Sequence, residues 1–230
     1  MSTPAMSSIS PKSSKSSMSY SPAQFQETDP AILHALVRAH PLAIWIVQHQ
    51  GELLVNHIPM LLDADRGEHG TLVGHVARAN PVWQALAAGA PSVAVFSGPQ
   101  AYVSPNWYPS KHAHGKAVPT WNYVTVHAHG VPQAFEEPER VLDVVTRLTQ
   151  AHEAGQALPW QVSDAPADYI AHMLKAIIAI ELPVQRWVGK WKVSQNRTAA
   201  DQQGVAAGLN GLGTPAAAQV AALVQQRTTP

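Results

Sequence analysis

The chain has 230 residues, enough for one domain with a sizeable core, and its 15 Lys plus Arg exactly offset 15 Asp plus Glu. That neutrality leaves no footprint for strong direct nucleic-acid binding, and no apolar run approaches the roughly 20 residues that span a bilayer. With no cysteine the chain has no disulfides, thiolate metal sites or cysteine nucleophiles, and it fits the cytoplasm.

Residues 1–19 hold nine serines, with Lys12 and Lys15 as their only charges, and read as a disordered extension. They lack the apolar region of a secretory signal. Asp29-Pro30 starts a helix to about His40, with Ile32, Leu33, Leu36 and Val37 on its apolar face. Leu42–Val47 is a strand, Gln50-Gly51 a turn and Glu52–Met60 the hairpin partner. A polar loop over residues 63–70 leads to a strand over Thr71–Ala77. A short helix over residues 82–88 follows, with Asn80 as its N-cap and Pro81 at its first position.

Ser92–Phe96 and Gln100–Val103 read as two strands, 104–119 as a structured loop, and Trp121–His129 as a strand. Pro138 opens a helix to about Ala154, and Pro166 another to about Ile177. Ile178–Val188 is β, with a turn at Gly189 before a continuation over Trp191–Ser194. Thr198–Leu209 is helical, and Ala216–Gln226 is a weaker Ala-rich helix. Strands interrupted by helices without βαβ alternation indicate an α+β fold around an antiparallel sheet or small barrel. The domain spans 20–210, with 211–230 a tail that can be helical.

Four polar, proline-punctuated clusters sit beside strands. They are Asn56-His57-Ile58-Pro59, residues 74–81, Ser104–Tyr123 and residues 190–197. A helix start beside Arg78 suits an anion such as phosphate, and a carboxylate partner for Arg78 suits the sequence equally. His57 and His75 read as partly buried histidines or as proton donors. His112/His114 and His127/His129 are His-x-His pairs, but no third ligand with matching spacing accompanies them, so no metal is assigned. Ser104 lacks a nucleophile elbow, and no P-loop or dinucleotide fingerprint is present. The 198–209 helix has no basic residue and is a poor recognition helix.

In this order the clusters resemble the PaiB-type FMN-binding negative transcriptional regulators. The resemblance begins near Met18 with Tyr20-Ser-Pro22 and Phe25, and takes in Asn56–Pro59 and Gly74–Pro81. It continues through Gly98–Pro105, Trp107–Lys111 and Val118–Tyr123, then Pro159-Trp160, Ser163–Pro166 and Gly189–Arg197. Either Met1 or Met18 is then the start. The resemblance implies an antiparallel split β-barrel of the flavin-reductase and pyridoxamine-phosphate-oxidase type, dimeric, with FMN in a groove between two copies. It implies FMN contacts from His75, Val76, Arg78 and Asn80 at the phosphate, and from Lys111, Thr120, Trp121 and Asn122 at the phosphate-ribityl side or ring. Asn56 and His57 would lie along the isoalloxazine, and Lys190, Ser194, Gln195 and Arg197 would complete the pocket. The family's aromatic at the position of His129 is replaced here. The function so implied is regulation by an indirect route, through a flavin state or a partner protein. A flavin-dependent oxidoreductase and a haem-binding or haem-degrading protein are the other readings of the same fold.

Overall fold

Asp29 accepts the Ala31 amide at 2.9 Å, and Pro30 occupies the first helical position, so the first helix starts where its sequence places it. The computed structural model describes residues 20–228, and the expectation for 1–19 lies outside them. In chain order the elements are β1 (Gln26–Glu27), α1 (Pro30–Ala39), β2 (Leu42–His49), β3 (Glu52–Pro59), β4 (Leu61–Asp63) and β5 (Thr71–Ala77). Next come α2 (Val82–Leu86), β6 (Ser92–Val103), α3 (Pro109–His114), β7 (Thr120–Gly130) and β8 (Gln133–Phe135). The chain closes with α4 (Pro138–Glu153), α5 (Ala167–Leu174), β9 (Ile177–Lys192), α6 (Ala199–Asn210) and α7 (Pro215–Gln226).

The strands form one curled antiparallel sheet in the order β3-β2-β6-β7-β9-β5-β4, with β1 and β8 also paired to β9. The α+β expectation and its antiparallel sheet hold. β9 curls the sheet: its first half pairs with β5 and β8, its second with β7 and β1. Pro183 sits where β9 changes partners, a place where a missing N–H costs little. Gly130 lies against it, and a Cβ there would stand 2.3 Å from the Pro183 carbonyl oxygen. The concave side holds the main core, including Trp45, Phe96, Val126, Leu182 and Trp191. Burying each such side chain contributes roughly 1.5–3 kcal/mol. Trp45 keeps its indole N–H satisfied by donating to Ser92 Oγ at 3.1 Å. A smaller cluster of Val73, Val141, Val144, Leu148 and Ala179 packs α4 onto β5 and β9.

Several expectations are corrected. The turn expected at Gly189 is absent: β9 runs straight through it, and a Cβ there would meet Leu33 Cδ2 at 2.3 Å and the Glu27 carbonyl at 2.6 Å. This glycine serves close approach of α1 and β1 rather than a turn. The two strands expected over 92–103 are one strand with a bulge between Ser97 and Gln100. The helix expected to reach Ile177 ends at Leu174, and the three residues of β8 form a strand too short to carry a readable period. The 104–119 loop holds a 3-10 turn over Pro105–Trp107 and then α3. Val220, Ala221 and Val224 of α7 are buried, and that helix packs on β6 and α6. Among the described residues no helix is long and apolar enough to cross a membrane.

Candidate functional site

Alternation along β7 sends Asn122, Val124, Val126 and Ala128 into the core, and Trp121, Tyr123, Thr125, His127 and His129 to the opposite, outward face. Trp121 is 51% exposed there, its ring edge-on to Tyr102 at 6.3 Å. Beneath it Asn122 is buried and donates from Nδ2 to Ser194 Oγ at 2.9 Å. Ser194, two residues past β9, lies in the left-handed region at φ +65°, a conformation that a non-glycine residue holds only where its surroundings fix it. The Gln195 side chain helps fix it, accepting the Val193 amide at 2.8 Å and donating to the Trp191 carbonyl. The Arg197 amide closes the turn onto the Ser194 carbonyl at 2.9 Å, and its guanidinium lies 4.7 Å above the Tyr108 ring.

The 105–114 segment docks on α6 through Asp201, which accepts from the Ser110 amide at 3.0 Å and the Ser110 hydroxyl at 2.8 Å. Burial raises the Asp201 carboxyl, but the bonds from Ser110 outweigh it and hold it below its ordinary value. Burial pushes the Tyr108 hydroxyl above its ordinary pKa, against the opposing pull of the Arg197 guanidinium. Lys111 donates to Asn106 Oδ1, and Lys192 to Thr120 Oγ1. The structure thus brings Lys111, Thr120, Trp121, Asn122, Ser194, Gln195 and Arg197 to one end of the β7–β9 pair. Lys192, inside the 190–197 cluster but not among the expected FMN contacts, belongs to the group: it lies two residues from Lys190 on one strand and so shares its face. Lys190 itself stands one pair further along. It donates to the Tyr20 carbonyl at 3.1 Å and lies 5.5 Å from the Tyr20 and Tyr123 rings. A cavity of about 210 Å³ lies at the β6 bulge beside it, lined by Gln100, Tyr123 and Thr125.

The other predicted residues form a separate group. Asn56 and His57, neighbours on β3, face opposite ways: Asn56 accepts from Asn80 Nδ2 at 2.6 Å, while His57 is exposed on the outward face. Asn80 Oδ1 accepts the Val82 amide at 3.0 Å, the cap expected of it, although the helix beyond is only five residues long. Arg78 donates to the Lys175 carbonyl at 2.7 Å and pairs with Glu136. Val76 is a core residue. His75 is partly buried with an unpartnered Nδ1, and burial lowers its pKa. His127 and His129 share a face with ring centroids 6.2 Å apart, and among the described residues no group of three His, Cys, Asp or Glu is placed to hold a metal.

The outward face also carries exposed apolar side chains: Tyr102 and Trp121 at one end of β6 and β7, and Leu53 and Val55 on β3, where Val55 lies in register with Ile46, Val93 and His129. A family model described as "Putative FMN-binding domain" matches residues 19–186. An uncharacterised protein of Emericella nidulans is 32% identical over 236 residues, covering 87% of this chain and 94% of its own. The protease synthase and sporulation protein PAI 2 of Bacillus subtilis is 27% identical over 208 residues, covering 90% and 97%. Among solved structures, the FAD and heme binding protein of Mycobacterium smegmatis superposes with a TM-score of 0.55 at 19% identity, covering 73% of each chain. The matched span, the antiparallel curled sheet and the ordered clusters lead to one conclusion: this chain belongs to the PaiB-type FMN-binding family, a split β-barrel fold whose cofactor is FMN.

Proposed function

We propose that FMN lies on the outward sheet face at the Trp121 end of β7, between two copies of this chain, and that the protein is a cytoplasmic regulator acting through its flavin or a partner protein. One observation carries the placement. Arg66, Arg78, Arg140, Arg147 and Arg227 are each paired with a carboxylate. Lys111, Lys190 and Lys192 instead donate to neutral oxygens, so their charge is available to a phosphate. Trp121 offers an exposed flat face for the ring system, and the fixed Asn122–Ser194 pair holds the backbone beneath it. FMN would supply reversible electron or hydride transfer; the chain supplies the cationic seat, the stacking face and exclusion of water. The exposed Leu53, Val55, Tyr102 and Trp121 side chains support a second copy as the cover.

The indirect route rests on charge and on α6. The chain is neutral, and the glycine face of α6 is occupied by Trp107: a Cβ on Gly208 would fall 2.3 Å from that ring. This helix is a packing element, not a groove reader.

Titration of FMN and riboflavin, followed by quenching of flavin fluorescence, tests the placement. Trp121→Ala is expected to weaken both ligands at least tenfold. A Lys111→Ala/Lys192→Ala double variant is expected to weaken FMN while sparing riboflavin. Unchanged FMN affinity in both variants sinks the placement. Tight, sequence-specific retardation of DNA by the purified protein at moderate salt sinks the indirect route.

A further inference from the structure

At the far end of the same outward face, His129 of β7 stands directly opposite Arg186 of β9, with His127 two residues along and Val93 of β6 on the other flank. The Arg186 Nη1 and His129 Nε2 atoms are both buried and make no hydrogen bond. No carboxylate pairs with Arg186 among the described residues; the buried carboxylates are held elsewhere, Glu181 by Arg66 and Arg140, and Glu27 by Arg227. A guanidinium cannot shed its charge, so a buried N–H on it without an acceptor is a standing cost. Burial, with Arg186 and His127 adding to it, pushes His129 down to about 4, and burial with Lys190 and Arg186 lowers His127. The imidazoles are therefore neutral hydrogen-bonding groups beside a fixed positive charge. A metal cation is repelled there, whereas an oxygen anion supplies the missing acceptor.

We propose that Arg186 and His129, with His127 beside them, form a seat for the carboxylate or phosphate group of a small molecule, distinct from the seat of the flavin phosphate. Positions 121 and 129 are separated by roughly 26 Å along an extended strand, at ~3.3 Å per residue. That span places the seat away from Lys111 and Lys192. All three residues are only partly buried and lie on the outward sheet face. A regulator with such a seat would read an anionic metabolite on the surface that also carries its flavin.

The probe is inorganic phosphate added to the purified full chain at matched ionic strength. The expected result is a saturable rise in Tm with a shift of the His127 and His129 ring resonances, while the exposed His152 and His172, on α4 and α5, stay still. In FMN-saturated protein, where the Lys111/Lys192 seat is filled, Arg186→Gln is expected to abolish the rise, and His129→Phe to weaken it several-fold. The rise should persist in FMN-saturated protein, and it does not depend on whether FMN binds. No response, or an equal response in Arg186→Gln, overturns the seat, and competition by FMN overturns its distinctness from the flavin phosphate. Should Arg186→Gln fail to fold, the wild-type ring spectrum decides, because uniform movement of all four resonances is non-specific and refutes the proposal.

Discussion

Replacing Gly204 with alanine tests how the site is assembled, because helix propensity and packing predict opposite signs. Gly→Ala inside a helix ordinarily stabilises by roughly 0.5–1 kcal/mol. In α6, however, a Cβ on Gly204 would lie 2.0 Å from the Trp107 carbonyl oxygen and 3.0 Å from Pro109 Cδ. A backbone carbonyl cannot swing away like a flexible side chain, so the 105–114 segment must move by about 1 Å. Overpacking of that kind costs roughly 1–3 kcal/mol. The moving segment also carries the two Ser110 bonds to Asp201, and hydrogen bonds to a charged group contribute about 1.5–3 kcal/mol. Partial loss of these, offset by the helix gain, leaves a net destabilisation of about 2 kcal/mol. For a chain this size that lowers Tm by roughly 4–8 °C. Lys111 rides on the same segment, so FMN affinity should fall with it. Thermal unfolding by circular dichroism, paired with FMN titration, measures both effects. Gly155→Ala is the control, since nothing lies within 4 Å of a Cβ there. A Gly204→Ala protein as stable as wild type, or more so, would refute the packing argument.

Two other perturbations separate the site's parts. Arg78→Ala removes a half-exposed pair with Glu136 worth at most about 1 kcal/mol and a bond to the Lys175 carbonyl, so it should lower Tm slightly and leave FMN affinity unchanged. Lost FMN binding in that variant would return the phosphate to the Asn80 turn. Acid is expected to destabilise the protein before its carboxylates titrate. Burial holds His34, His75, His127 and His129 below their ordinary 6.5, His129 at about 4. As pH falls from 6.5 towards 4, the unfolded chain takes up these protons first, so stability drops through that window and is flat in this respect above it. His129→Phe should remove part of the slope; an unchanged Tm–pH curve in wild type between those values would contradict the burial of these rings.

Legibility tracked the range of the physics. The Asp29 cap, the Gln50-Gly51 turn with both residues at positive φ, and the Thr198 cap of α6 are set within a few residues and were readable. The ordered clusters named the family and the curled sheet. Gly189 is ambiguous in sequence because a glycine beside a strand marks a turn or a close approach alike, and only the Leu33 and Glu27 neighbours distinguish them. Asn56 and His57 were grouped by adjacency, while the strand's two-residue period places them on opposite faces. That same period puts Lys192 on the face of Lys190.

The sequence alone therefore determined most of the elements, the neutral charge that argues against direct DNA binding, and the kinship with FMN-binding proteins. Only the tertiary structure decided which cations are already neutralised. Arg78 meets Glu136 and Lys175 across 58 and 97 residues, and Asn122 meets Ser194 across 72. Those meetings depend on how β9 exchanges partners at Pro183. No local signal specifies that exchange, because antiparallel pairing joins residues by register rather than by nearness in the chain.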